Sequence, residues 1–180
     1  MRIAISGKSG CGNTTVSTML AQRLGYDLIN FTFRQMAQER GMEFWDFCAL
    51  AEKDDNIDRD LDRRQVEMAM AKENCILGSR LAIWMLKDAD FKVYLKASDQ
   101  ERARRITKRE GGSYEQRLEQ TQGRDGHDSA RYKRIYGIDN SDTSCADLVI
   151  DTENRTPESI VDEIVAAVEA ASKAQAVQKN

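Results

Sequence analysis

A strand-like run, Ile3-Ala4-Ile5, leads directly into Gly7-Lys8-Ser9-Gly10-Cys11-Gly12-Asn13-Thr14-Thr15 and then into a helical pattern. This order of strand, glycine loop and helix constrains the fold more than any other feature of the chain. It matches the phosphate-loop pattern GxxxxGK[ST] at every specified position except the lysine, which is Asn13. Glycines let the backbone curl around an oxyanion, successive N–H groups point inward, and the helix dipole adds partial positive charge. Gly7, Lys8, Ser9, Gly10, Cys11, Gly12, Asn13, Thr14 and Thr15 are therefore expected to cradle nucleotide phosphates, with the Thr14 hydroxyl offered to Mg²⁺. The dinucleotide pattern GxGxxG is not met. A short neutral amide at Asn13 cannot do what a lysine does at the β- and γ-phosphates. Lys8, in the same loop, is the candidate replacement, its other reading being a solvent-facing lysine. Cys11 sits where a thiolate would be stabilised near a helix N-terminus, or is simply a small residue in a tight loop.

Downstream, Leu28-Ile29, Cys75-Ile76-Leu77, Val93-Tyr94-Leu95 and Leu148-Val149-Ile150 are short apolar runs of the kind buried on both faces of a sheet, each separated from the next by helical sequence. That alternation predicts an α/β layered fold, a five-stranded parallel sheet flanked by helices, because parallel neighbours need crossover connections. Val16, Met19, Leu20 and Leu24 mark the first helix, closed by Gly25. Thr156-Pro157 opens a last helix whose apolar face is Ile160, Val161, Ile164, Val165 and Val168, and the stretch from Ala171 to Asn180 loses that stripe and is expected to fray. With 180 residues and no linker or repeat, one domain spanning 1–180 is expected.

The net charge of −3, from 27 Lys and Arg against 30 Asp and Glu, gives no general attraction to nucleic acid or to a membrane surface. Aromatic residues, at 7%, are too few for base-stacking platforms. The four cysteines, Cys11, Cys48, Cys75 and Cys145, form no CxxC pair, which argues against zinc. Reduced thiols and a start without a signal-peptide pattern suggest a cytoplasmic protein. Positive charge is nevertheless concentrated between Arg102 and Arg134. Arg102, Arg105 and Arg117, interspersed with glutamates, read as a solvated helix face. By contrast Gly123-Arg124-Asp125-Gly126 and Arg131-Tyr132-Lys133-Arg134 read either as more of the same or as a mobile segment presenting guanidiniums to a polyanion.

Beyond the loop, the chain carries Asn30-Phe31-Thr32-Phe33-Arg34, Glu39-Arg40-Gly41-Met42, Ile57-Asp58-Arg59-Asp60-Leu61-Asp62-Arg63-Arg64-Gln65, Arg80-Leu81-Ala82, Lys108-Arg109-Glu110, the run from Arg131 to Asp139, and Asp147-Leu148-Val149-Ile150. In these motifs, over nearly its whole length, it resembles the archaeal-type cytidylate kinases. The resemblance implies a P-loop NTPase-type fold with acceptor-binding helices over about 31–72 and a lid over about 109–137. It implies transfer of the ATP γ-phosphoryl group, with Mg²⁺, to CMP or dCMP by a monomer whose partners are small nucleotides. Arg34 and Arg80 look like clamps on the acceptor phosphate. Arg63 lies in the motif that would line the acceptor site. Asp58 and Asp62, one helical turn apart, look like acceptors for the exocyclic amine of cytosine, or, for Asp58 equally, like charge complementing a helix dipole. Arg124 and Arg131 resemble lid arginines that, with Lys8, would act on the transferring group. Two positions depart from the pattern: Asn13, and Gly78-Ser79-Arg80 where the family typically has Glu-Gly-Arg. A nucleotide-binding relative without catalysis and a kinase for another small acceptor are the alternatives.

Overall fold

A computed structural model describes residues 1–178. In chain order the elements are β1 (Arg2–Gly7), α1 (Asn13–Leu24), β2 (Asp27–Ile29), α2 (Phe33–Glu39), α3 (Phe44–Ala51), α4 (Asp55–Met70), β3 (Cys75–Gly78), α5 (Ala82–Met85), β4 (Phe91–Lys96), α6 (Asp99–Glu110), α7 (Tyr114–Tyr136), β5 (Leu148–Asp151) and α8 (Pro157–Gln178). The five strands form one sheet in the order β2-β3-β1-β4-β5. All four pairings are parallel, with Ile3 opposite Ile76 on one side and Phe91 on the other. Each strand predicted from the apolar runs is present.

Position in the sheet decides how far those runs are buried. Ile3, Ile5, Ile76, Val93 and Leu95 are sealed at the centre, whereas Val149 on the edge strand β5 is 41% exposed. Alternation along β1 sends Ile3 and Ile5 to one face, against Val16 and Leu20 of α1 and Ile160 and Ile164 of α8. Ala4 goes to the other face, with Leu77, Ala82 and Ile83. A separate core of Phe31, Met36, Phe47, Ile57 and Leu61 gathers α2, α3 and α4 beside the sheet. Phe47, fully buried there, contributes about 2–3 kcal/mol by leaving water. Helix starts follow their capping residues: Thr32 and Gln35 form a capping box on α2, and Asp54, Ser98 and Ser113 cap α4, α6 and α7.

Two expectations change. The stretch from Ala171 does not fray at once, since α8 continues to Gln178. Alanines, the best helix formers, carry it after the apolar stripe ends, and positions 179 and 180 lie outside the described residues. The segment around Gly123 and Gly126, read as a helix face or a mobile stretch, is helical. It lies inside the 23-residue helix α7, capped by Ser113 at one end and by left-handed Gly137 at the other. Two exposed glycines weaken a helix by about 1 kcal/mol each relative to alanine without breaking its hydrogen-bond ladder.

Candidate functional site

The loop between β1 and α1 lies at the carboxyl end of the central strand, where open parallel sheets place ligands. Gly10 takes a left-handed conformation, φ +86°, and a Cβ there would come within about 3.0–3.1 Å of Arg102. Asn13 turns back on the loop: its Nδ2 donates to the Gly7 carbonyl at 2.7 Å, while its Oδ1 is buried without a partner. This side chain braces the loop rather than reaching outward. Cys11 is 2% exposed and burial pushes its thiol pKa up, which favours the small-residue reading over a thiolate. Thr14 and Thr15 are exposed on the first turn of α1. A side chain at Gly78 would put its Cβ 2.4 Å from the Ser17 hydroxyl, so the glutamate expected by resemblance has no room without a shift of Ser17.

Two of the arginines of α6, Arg102 and Arg105, are not part of a solvated face, whereas Arg104 and Arg109 are exposed. Arg102 is fully buried, donating to the Ser9 carbonyl at 3.0 Å and to Asp99 and Asp125 at 2.5 and 2.6 Å. Arg105 reaches the Thr152 carbonyl at 2.6 Å and the Gly10 carbonyl at 3.4 Å. Their helix packs directly under the loop, so their guanidiniums satisfy carbonyls that the curled backbone leaves over. Arg117, also not free in solvent, donates to the Gly111 carbonyl at 2.9 Å and closes the turn between α6 and α7.

Above the loop, α7 presents both signs of charge. Asp125 lies 3.5 Å from the Lys8 ammonium. Asp128, one turn on, pairs with Arg80 and with Arg131, the latter at 3.2 Å. Arg124, more exposed, stands 4.0 Å from Asp128. Gly7, Lys8, Ser9, Arg80, Asp125 and Asp128 enclose a space of only about 10 Å³, barely a water molecule. Entry of a phosphate therefore requires these pairs to part.

The far wall is α4. Asp58 is 2% exposed, with one carboxylate oxygen 3.2 Å from Arg131 and the other, Oδ2, buried without a hydrogen-bond partner. Burial raises its pKa. Asp62, one turn along, accepts a 2.6 Å hydrogen bond from the Tyr136 hydroxyl, and burial pushes its carboxyl up to about 6. Burial raises the pKa of the half-buried Cys48 thiol of α3, with Arg124, Arg131 and Arg34 opposing it. The Arg34 guanidinium stacks over Phe44, 4.3 Å from the ring centroid.

Of the residues singled out in the sequence, Lys8, Arg80, Arg124, Arg131, Asp58 and Asp62 thus form a continuous surface from the loop to α4. Arg63 does not join it, because its guanidinium is held at 2.5 and 2.7 Å by Asp60 and Glu67 on the exposed side of its own helix. Asp125, Asp128 and Tyr136 join it although no motif reading points to them, and Arg102 joins it although its neighbours in sequence read as a solvated face. The acidic pair is legible in the sequence only as two carboxylates at helical spacing between Arg124 and Arg131.

Comparison with known proteins places the chain in a family. The model of the cytidylate kinase-like family matches residues 2–154. The chain is 49% identical over 158 residues to "Cytidylate kinase 2" of Borreliella afzelii, covering 86% of this chain and 88% of that protein. It is 43% identical over 170 residues to "Cytidylate kinase" of Pyrococcus abyssi, covering 93% of each. Among solved structures, a shikimate kinase from Bacteroides thetaiotaomicron superposes with a TM-score of 0.63 at 16% identity, over 94% of this chain and 98% of that one. A deoxyadenosine kinase from M. mycoides superposes with a TM-score of 0.55 at 19% identity, over 94% and 100%. These two structural likenesses concern the fold alone.

Proposed function

This chain belongs to the cytidylate kinase-like family and is an ATP-dependent nucleoside monophosphate kinase; from that premise we propose that its acceptors are CMP and dCMP. The observation that carries the acceptor reading is Asp58, a buried carboxylate whose Oδ2 has no hydrogen-bond partner, with Asp62 one turn away on the same wall. An unpaired buried acceptor is costly until a donor reaches it. The exocyclic amine of cytosine is such a donor, whereas uracil presents a carbonyl oxygen that leaves both groups unsatisfied.

The remaining roles follow the surface between loop and α4. The loop N–H groups and Lys8 hold the donor phosphates, with Lys8 supplying the cation that Asn13 does not. Arg80 and Arg34 clamp the acceptor phosphate. Arg124 and Arg131 offset the charge that develops as the γ-phosphoryl leaves ADP and bonds to an oxygen of the acceptor phosphate. Mg²⁺, bound together with ATP, would supply positive charge that offsets the donor phosphates. Thr14, exposed at the first turn of α1, fits that ion. No group of three His, Cys, Asp or Glu side chains gathers as a metal cage among the described residues, and Mg²⁺ typically keeps waters and takes several ligands from phosphates.

A panel of nucleoside monophosphates incubated with ATP and Mg²⁺ tests the proposal through the diphosphate formed. CMP and dCMP are expected to be the best acceptors, with UMP weaker. Equal turnover of AMP and CMP contradicts it.

A further inference from the structure

We infer that Tyr136 is a positioning residue for acceptor recognition: from the end of α7 its hydroxyl fixes one oxygen of Asp62, leaving the rest of that carboxylate for the acceptor's amine. The inference rests on the proposed role of Asp62 as an acceptor ligand. Its basis is the 2.6 Å hydrogen bond between the two side chains, made by the last residue of the helix that also carries Arg124, Asp128 and Arg131.

The chemistry of the donor matters. Two other contacts dock α7 on the acidic stripe of α4, Arg134 to Asp55 at 2.6 Å and Arg131 to Asp58 at 3.2 Å, and both are ion pairs. At Asp62 the partner is instead a neutral phenol. A guanidinium there would offset the carboxylate's charge and bring further donors beside it. A phenol takes one lone pair, orients the group and leaves its negative charge in place. Burial and the adjacent carboxylate raise the pKa of Tyr136, so it remains a donor. The Arg59 guanidinium lies over the Tyr136 ring, 5.8 Å from its centroid. Asp62 is otherwise faced by Asp58 on its own helix, which disfavours its ionisation, and by Arg131 on α7, which favours it. The buried Tyr132 also feels its charge. The phenol therefore assists in keeping a buried carboxylate ionised near neutral pH, in the orientation an amine requires.

The test is kcat/KM for CMP between pH 5 and 8.5 in the wild type, Tyr136→Phe and Asp62→Asn. In the wild type the acid limb is expected near about 6. In Tyr136→Phe it should move upward by about one pH unit, a tenfold change in the protonation equilibrium. The loss should appear in the KM for CMP, leave the KM for ATP unchanged, and narrow toward pH 8.5. Titration of the Asp62 carboxyl by ¹³C NMR in the unliganded protein should show the same shift without reference to turnover. An acid limb and carboxyl titration that coincide with wild type overturn the inference, as does an equal rise in both KM values, which marks general loosening of α7. If Asp62→Asn abolishes the preference for CMP over UMP while Tyr136→Phe titrates like wild type, the acceptor reading stands and this inference falls. If Asp62→Asn keeps the preference, the acceptor reading fails and takes the inference with it.

Discussion

Arg80, just beyond the end of β3, is ion-paired with Asp128 on α7, and both line the small cavity beside Gly7, Lys8 and Ser9 of the loop. Asp128 also holds Arg131, and Asp125, one turn earlier, holds Lys8 and the buried Arg102. The cleft is thus neutralised from within by two carboxylates of one helix. A phosphate approaching Arg80 competes with Asp128 for the same guanidinium.

Asp128→Asn should consequently bind inorganic tripolyphosphate more tightly than wild type, by roughly three- to tenfold, the effect of removing one competing charge from a partly buried pair. Isothermal titration calorimetry without nucleoside measures this directly. Unchanged or weaker binding would show that Asp128 does not guard the site.

The raised pKa of Asp62 makes a statement about stability with a definite sign. Burial moves the carboxyl from 3.8 to about 6, so the folded state holds its proton more tightly than the unfolded chain. This group's contribution is most favourable below about 4 and is lost as pH rises through about 6, a difference of about 3 kcal/mol at most. Asp62→Asn, which carries no charge at any pH, should therefore raise Tm relative to wild type at pH 8, and the gain should shrink toward pH 4. Thermal melts across that range check it. A gain that grows as pH falls is the opposite result.

Gly126 lies inside α7 with open space around its missing side chain. Gly126→Ala should stabilise the helix by about 0.5–1 kcal/mol and raise Tm by about 1–4 °C. Because the pairs above the loop must part before phosphates enter, the stiffer helix is expected to lower kcat at the same time. A lower Tm in the variant would contradict the helical assignment at this position.

How much of this was legible in the sequence depended on the range of the interactions. Ile3-Ala4-Ile5 and the other apolar runs specified all five strands, and the glycine pattern located the loop, because each rests on local sequence. The fully buried Arg102 was misread, because its surroundings on α6, Glu101 and Arg104, look like an exposed helix face. Nothing near it in sequence reveals that Gly10 and the Ser9 carbonyl, on the far side of the chain, will close over it. Arg63 was drawn toward the acceptor site by its motif, yet Asp60 and Glu67 at helical spacing hold it outside. Gly123 and Gly126 suggest a mobile segment because glycine is a local breaker, whereas caps at Ser113 and Gly137 and the residues between them sustain one helix. The Tyr136–Asp62 bond joins positions far apart in the chain, which no periodicity reports.

On the function proposed above, a loop with Asn13 in place of lysine still supports phosphoryl transfer, with Lys8 as the cation at the donor phosphates. The most direct test is the single-turnover rate of CDP formation from saturating ATP, Mg²⁺ and CMP in the wild type, Lys8→Ala and Asn13→Lys. Clear turnover is expected in the wild type, with a loss on the order of 10² or more in Lys8→Ala, the scale for removing one positioned stabiliser of transition-state charge. Little gain is expected in Asn13→Lys, which gives up the bond to the Gly7 carbonyl. Lys8→Ala within about twofold of wild type, a difference under roughly 0.5 kcal/mol, would contradict it, as would negligible wild-type turnover that Asn13→Lys restores.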